Sequence, residues 1–277
     1  MFGRQISLKG CVFLIDIRGL VVRYGWRREP ILRGVSAVFD GKHLLLGPNG
    51  SGKTTLFRAL TGLAPITSGD ILIDGVSIDK IYGKPGLVAA NLTEIYNLLY
   101  LSAYDHLKVF MDLMGGELDH ALQTLEDLGV STEILRRRRT WELSAGQRKA
   151  FATALALASG AKHVLLDEPF EQLDPARKSI MLRRIAGHSS TVVLNTHETW
   201  LINSMWGWKV HFIFEGRVYG PVEARDLVGA SLVSGDVENA LLRFETSGRI
   251  FSILPGEGGQ PLTNLVTLDR IYELTLR

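Results

Sequence analysis

The spacing of apolar positions changes period several times along the chain. Residues 12–25 alternate loosely between apolar and polar and end in "VVRYG", which predicts a strand entering a turn. "HLLL" (43–46) is a compact apolar run that meets a glycine-rich stretch, "GPNGSGKTT", at once, so a strand leads into a tight turn. Leu56, Ala59, Leu60 and Leu63 then fall at i, i+3, i+4 and i+7, and predict a helix over 53–63. "GDILIDGVSI" (69–78) predicts two short strands around Asp74-Gly75. From about 93 to 135 the period becomes helical, carried by Leu92, Ile95, Leu98, Leu99 and Leu101, then by Leu107, Phe110, Met111 and Met114. Strand and helix alternate afterwards: helix 146–159, strand 163–167, helix 175–186, strand 191–195. "KVHFIFEGRVYG" (209–220) predicts a hairpin around Glu215-Gly216. Residues 231–277 carry "DVENALLRF", "GRIFSIL" and a helix near 264–275, with Leu265, Leu268, Ile271 and Tyr272 on one face. The pattern predicts an α/β core with a helical insertion and a small folded appendix that has no catalytic motif.

Composition removes several classes of function. With 31 Lys and Arg against 29 Asp and Glu, the net charge of +2 gives no global attraction to nucleic acid or to an anionic membrane, and no nucleic acid is expected as partner. A single cysteine, Cys11, makes no internal disulfide and suits a reducing compartment. No apolar run approaches the roughly 18–20 residues of a spanning helix. "CVFLI" (11–15) is too short for a signal core, and Asp16 closes it. A cytoplasmic chain is expected.

Two stretches carry phosphate chemistry. Gly47, Gly52, Lys53 and Thr54 match G-x-x-x-x-G-K-[ST] between a predicted strand and a predicted helix, the context that gives the motif meaning. Gly47, Pro48, Asn49, Gly50, Ser51, Gly52, Lys53, Thr54 and Thr55 are the expected nucleotide-binding set. Backbone N–H groups must turn inward on phosphates, which calls for glycine conformations and close approach without Cβ. The helix beginning near Lys53 adds its positive dipole end. Lys53 supplies a charge to the β- and γ-phosphates, worth roughly 4 kcal/mol at about 4 Å and an effective dielectric of about 20, before desolvation. The Thr54 hydroxyl is an expected Mg²⁺ ligand. "HVLLDEP" (163–169) places two carboxylates at the C-terminal end of a strand, where open α/β sheets bind ligands. Asp167 is the expected partner for Mg²⁺, and Glu168 the expected acceptor of a proton from water attacking the γ-phosphate. His197 in "LNTHE" follows the next strand as a third catalytic candidate.

With these residues in order, the chain resembles the nucleotide-binding subunits of ATP-binding cassette (ABC) transporters. The matching stretches are "GPNGSGKTT" (47–55), "LSAGQ" (143–147), "HVLLDEP", "LDP" (173–175) and "NTHE" (195–198), covering about residues 12–220. "LSAGQ" is the decisive member; the family normally spells it LSGGQ, and Ala145 stands in place of a glycine. The resemblance implies a P-loop NTPase core with an antiparallel β subdomain and an inserted α-helical subdomain at about 84–145, together residues 1–230. A small α+β accessory element, residues 231–277, follows. It implies ATP and Mg²⁺ as cofactors and a head-to-tail pair, homo- or heterodimeric, in which Ser144, Ala145, Gly146 and Gln147 of one subunit face the γ-phosphate on the other. Asp174 would join that interface, and Tyr24 would stack on adenine. The chain would act as the ATP-hydrolysing subunit of a transporter, peripheral on the inner face of the cell membrane through separate transmembrane subunits. The alternative reading is an ATP-binding regulatory or soluble ABC protein with little transport role.

One family feature is missing. A glutamine usually lies midway between P-loop and signature and reaches Mg²⁺ and the attacking water. The corresponding stretch here is "GLVAANLTEIYN", where either Asn91 substitutes for it, one methylene shorter, or Ala90 occupies the position and the role is lost. Asn91 is the expected replacement. The "RRRR" run (136–139) is read as a solvated face, with docking to an acidic surface as the other reading.

Overall fold

The computed structural model describes residues 13–25, 28–81, 83–96, 100–256, 258–262 and 268. In chain order, β1 (Ile15–Val22), β2 (Leu32–Phe39) and β3 (Lys42–Leu46) precede α1 (Lys53–Leu60). After β4 (Ile66–Ile73), β5 (Val76–Ser77) and β6 (Val88–Ala90) come α2 (Ala103–Met114), α3 (Leu118–Asp127), α4 (Thr132–Arg137) and α5 (Ala145–Ala158). Then β7 (His163–Asp167), α6 (Pro175–Ala186), β8 (Thr191–Thr196), β9 (Lys209–Phe214) and β10 (Arg217–Glu223) complete the core. The appendix holds β11 (Ser231–Ser234), β12 (Leu242–Thr246), β13 (Arg249–Leu254) and β14 (Gln260–Pro261).

Three sheets organise these strands. The central one runs β10-β9-β3-β8-β7-β6, with β9, β3, β8, β7 and β6 parallel and β10 antiparallel on the edge. Its middle strands are buried on both faces, as in Leu44, Leu45, Leu46, Val164, Leu165 and Leu166, which is why they read as continuous apolar runs. An antiparallel sheet, β2-β1-β4-β5, packs over α1. The third, β12-β13-β11-β14, is antiparallel.

The helical insertion begins later than the expected residue 84, because Val88–Ala90 pairs in parallel with His163–Leu165 and belongs to the central sheet. β2 lies where no strand was expected. Its buried residues Leu32, Val35 and Phe39 are spaced three and four apart, a helical spacing. The pairing of β1 with β2 is interrupted by register shifts between Ile17 and Leu20 and between Leu20 and Val21, and such bulges break the two-residue alternation that marks a strand. The helix expected near 264–275, with Leu265, Ile271 and Tyr272, lies outside the described residues. Leu268 is described and fully buried.

The appendix shares the core of the cassette. Phe244 stacks on Phe214 of β9 at 4.2 Å between centroids and on Phe251 at 5.7 Å, and Thr246 and Ser247 hydrogen-bond Glu215 in the β9–β10 turn. Three arginines of the 136–139 run have partners within the chain. Arg136 lies 4.2 Å from the Tyr104 ring centroid, Arg137 pairs with Glu133 at 2.8 Å, and Arg139 lies 5.2 Å from the Trp141 ring.

Candidate active site

The loop between β3 and α1 lies over the C-terminal ends of the parallel strands. Gly47 sits where a Cβ would lie 2.5 Å from both the side chain and the carbonyl of Ile213 on β9, so no larger residue fits between the two strands. Gly52 has φ of 108°, a left-handed conformation that turns the chain into α1. Lys53 is 6% exposed and its Nζ donates to the carbonyls of Gly47 at 2.7 Å and Pro48 at 3.1 Å, which folds the ammonium back across the loop. Asn49, Gly50, Gly52, Lys53, Thr54, Thr55, Ile31 and Glu168 line a cavity of about 330 Å³ at this point. Ser51 Oγ is buried without a hydrogen-bond partner among the described residues, and it lies within the loop that a phosphate would fill.

The residues that would hold a metal meet at the same place. Thr54 Oγ1 lies 3.2 and 3.1 Å from the two carboxylate oxygens of Asp167, the last residue of β7. A hydroxyl and a carboxylate are hard oxygen donors that suit Mg²⁺ beside the phosphate oxygens of a nucleotide.

Glu168 follows at a sharp corner. Its φ of 44° is left-handed, a conformation that strains a non-glycine residue and therefore needs external support. Support comes from β8: the Glu168 N–H donates to the Asn195 carbonyl at 3.1 Å and to Asn195 Oδ1 at 3.2 Å. Its side chain is held as firmly. Thr196 Oγ1 donates to Oε2 at 2.7 Å, His197 Nδ1 lies 2.9 Å from Oε1, and Lys53 Nζ lies 3.4 Å from Oε1. Thr196 and Asn195 were not singled out from the sequence; their only mark is their place beside His197.

Asn91 is fully buried, and its amide oxygen accepts from the Asp167 N–H at 2.6 Å. Its amide nitrogen donates to Thr153 Oγ1 on α5 at 3.0 Å and to the Asp167 carbonyl at 3.2 Å. Asn91 thus acts on the backbone of Asp167.

The signature residues lie apart from the cradle. Ser144 caps α5: its Oγ accepts from the Gln147 N–H at 3.2 Å, and Gln147 Oε1 accepts from the Ser144 N–H at 3.0 Å. Gln147 therefore shapes the turn. Ser144, Ala145, Gly146 and Gln147 line a separate cavity of about 380 Å³ with Gln172 and Arg177, and no residue of the 47–55 loop takes part. Asp174 caps α6, its carboxylate accepting from the Arg177 N–H at 3.0 Å; that hydrogen bond holds its pKa below the usual value. Tyr24 is half-buried against the apolar cluster beneath β1 and does not line the cradle cavity, whereas Ile31 does.

The parallel sheet, the glycine loop ahead of α1 and the carboxylates ending β7 define a P-loop nucleotide-binding core. Residues 38–171 match the family described as ABC transporter. The chain is 30% identical over 187 residues to the glutamine transport ATP-binding protein GlnQ of Escherichia coli (strain K12), spanning 63% of this chain and 77% of that protein. To the taurine import ATP-binding protein TauB of Escherichia coli O157:H7 it is 32% identical over 196 residues, 67% of this chain and 74% of the other. Among solved structures, one described as a cobalt transport ATP-binding protein, cbiO-2, matches with a TM-score of 0.86 and 34% identity, over 94% of this chain and 99% of that one. A dimeric ATP-binding cassette bound to ADP and Pi shares the fold, with a TM-score of 0.64 and 20% identity over 76% of this chain and 99% of that one. The chain belongs to the ABC transporter family and has the fold of its ATP-binding cassettes.

Proposed function

We propose that the chain hydrolyses ATP in a Mg²⁺-dependent reaction, as one half of a head-to-tail pair of ATP-binding subunits seated on separate transmembrane subunits. One observation carries the hydrolytic part: Glu168 Oε1 lies 2.9 Å from His197 Nδ1 and 3.4 Å from Lys53 Nζ, in the lining of the cradle cavity. Lys53 and the turned N–H groups of the loop hold the β- and γ-phosphates. Thr54 and Asp167 would hold Mg²⁺, which would supply charge neutralisation at the phosphate oxygens. Glu168 accepts the proton of the attacking water, with its carboxylate oriented by Thr196 and His197.

The pairing of two subunits is supported by the place of the signature turn. Ser144 and Gly146 sit at an exposed helix N-terminus outside their own cradle, so a phosphate reaching them comes from another chain. No helix among the described residues is long and apolar enough to cross a membrane; attachment to the inner face of the membrane then depends on the transmembrane partners. The relatives are named for different cargoes, glutamine, taurine and cobalt, which supports a reading in which the transmembrane partners choose the cargo.

The test is Glu168→Gln. This variant is expected to bind ATP with unchanged affinity, to stop turning over, and to sediment as an ATP-bound dimer in the presence of Mg²⁺. Undiminished hydrolysis, or a monomer alone, would overturn the reading.

A further inference from the structure

Behind the Glu168–His197 contact lies a second set of polar contacts that the proposed mechanism does not use. Glu198, next in chain to His197, directs Oε1 to Lys178 Nζ at 2.6 Å and accepts from Trp200 Nε1–H through Oε2 at 2.5 Å. The pair is largely enclosed, with side chains 25% exposed for Lys178 and 19% for Glu198. The Lys178 ammonium lies 5.7 Å from the Trp200 ring centroid, and the Trp200 ring meets Phe170 edge-on at 5.6 Å. Phe170 is buried and stands two residues after Glu168. The Glu198 N–H donates to Thr196 Oγ1 at 3.2 Å, and that hydroxyl donates to Glu168 Oε2 at 2.7 Å. At the other end, Lys178 sits one turn into α6, its N–H donating to the carbonyl of Asp174 at 2.9 Å.

These contacts join the first turn of α6, where Asp174 stands, to the backbone carrying His197. We propose that Lys178 and Glu198 are a positioning pair that ties the start of α6 to the residues orienting Glu168, so that a surface closing on Asp174 sets the His197–Glu168 contact. A salt bridge lying free on the surface would fix nothing. This one is enclosed, shares its carboxylate with an indole N–H, and fixes Glu198 between two elements that bear on Glu168. Neither side chain touches the cradle. The inference rests on the hydrolytic reading of Glu168 and His197.

The experiment compares the full-length Lys178→Met, Lys178→Arg, Glu198→Gln and Lys178→Met/Glu198→Gln variants, with Glu168→Gln beside them, in steady-state hydrolysis of Mg-ATP. Glu198→Gln keeps an acceptor for Trp200 and removes only the charge. Lys178→Met and Glu198→Gln are expected to lower kcat about tenfold while KM and ATP affinity stay unchanged. The double variant should be no slower than the slower single, because the two lesions remove one interaction. Lys178→Arg should retain most of the rate. The pair is refuted if Glu168→Gln is inert but Lys178→Met and Glu198→Gln turn over normally, if their ATP affinity falls with kcat, or if the two losses multiply in the double variant. Hydrolysis by Glu168→Gln at the rate of the unmodified chain would instead remove the reading on which the pair rests.

Discussion

Replacing Asn91 with alanine separates two roles that this residue can have. In the structure its amide makes three hydrogen bonds inside a site of zero exposure: one from the Asp167 N–H at 2.6 Å and two donated, to Thr153 Oγ1 and the Asp167 carbonyl, at 3.0 and 3.2 Å. Asn91→Ala therefore strands the Asp167 N–H where water does not reach. An unsatisfied buried donor costs about 1–3 kcal/mol. Unfolding entropy near 2.1 cal/mol/K per residue gives, for a chain of this length, about 2 °C in Tm for each kcal/mol, so a fall of roughly 2–6 °C is expected. Since stabilities run to about 5–15 kcal/mol, the variant should still fold. The freed end of β7 carries both Asp167 and Glu168, and a shift of about 1 Å in reacting groups can cost about a hundredfold in rate. Turnover should drop by one to two orders of magnitude with ATP affinity nearly unchanged, and raising Mg²⁺ should not restore it. Thermal unfolding and a Mg²⁺ titration of ATPase rate decide the matter. An unchanged Tm together with rescue by Mg²⁺ would show that the amide serves the metal and refute the backbone role.

Two further outcomes follow from the geometry. Ser144→Arg, at an exposed turn outside its own cradle, should spare ATP binding and abolish hydrolysis; mixed with Lys53→Ala subunits, it should regain part of the activity, since one site of each mixed pair carries neither lesion, and a mixture no faster than either parent rules out action across the interface. Acid should weaken the fold through His43 and His211, whose ring nitrogens lie 3.0 Å apart in full burial. Burial lowers both pKa values, that of His211 to about 3 with the neighbouring His43 adding to the shift. A depressed histidine leaves stability whole above the unfolded value near 6.5 and removes it as pH falls toward the folded value, by up to about 1.4 kcal/mol per pH unit for each group. Urea midpoints measured from pH 7.5 to 5 should fall with pH and fall less in a His43→Phe/His211→Phe variant; equal pH slopes in the two proteins would dismiss this pair as the source.

Chemistry that depends on consecutive residues was readable without the fold. The loop from Gly47 to Thr55 needs a strand before it, a helix after it and glycines between, and all three leave local marks. The same holds for β7, where a buried parallel strand shows as "HVLL" and delivers Asp167 and Glu168 to its end. The turn at Ser144 is local too, a capping box closed within four residues. Elements defined by their partners left no such mark. β2 keeps Leu32, Val35 and Phe39 inward across a bulged pairing, so its spacing imitates a helix. Three-residue β6 is a strand only because β7 lies beside it. Asn91 offered an amide in the right stretch, yet its direction is set by Thr153, 62 positions away, and by Asp167, 76 positions away. Lys178 and Glu198 are ordinary charges until α6 packs against the segment after β8. Backbone conformation and short-range hydrogen bonds are encoded nearby, whereas the aim of a long side chain depends on which distant element folds against it. For this protein the sequence determined the glycine loop and the strand that ends in Asp167, and the tertiary structure decided which groups hold the carboxylates still.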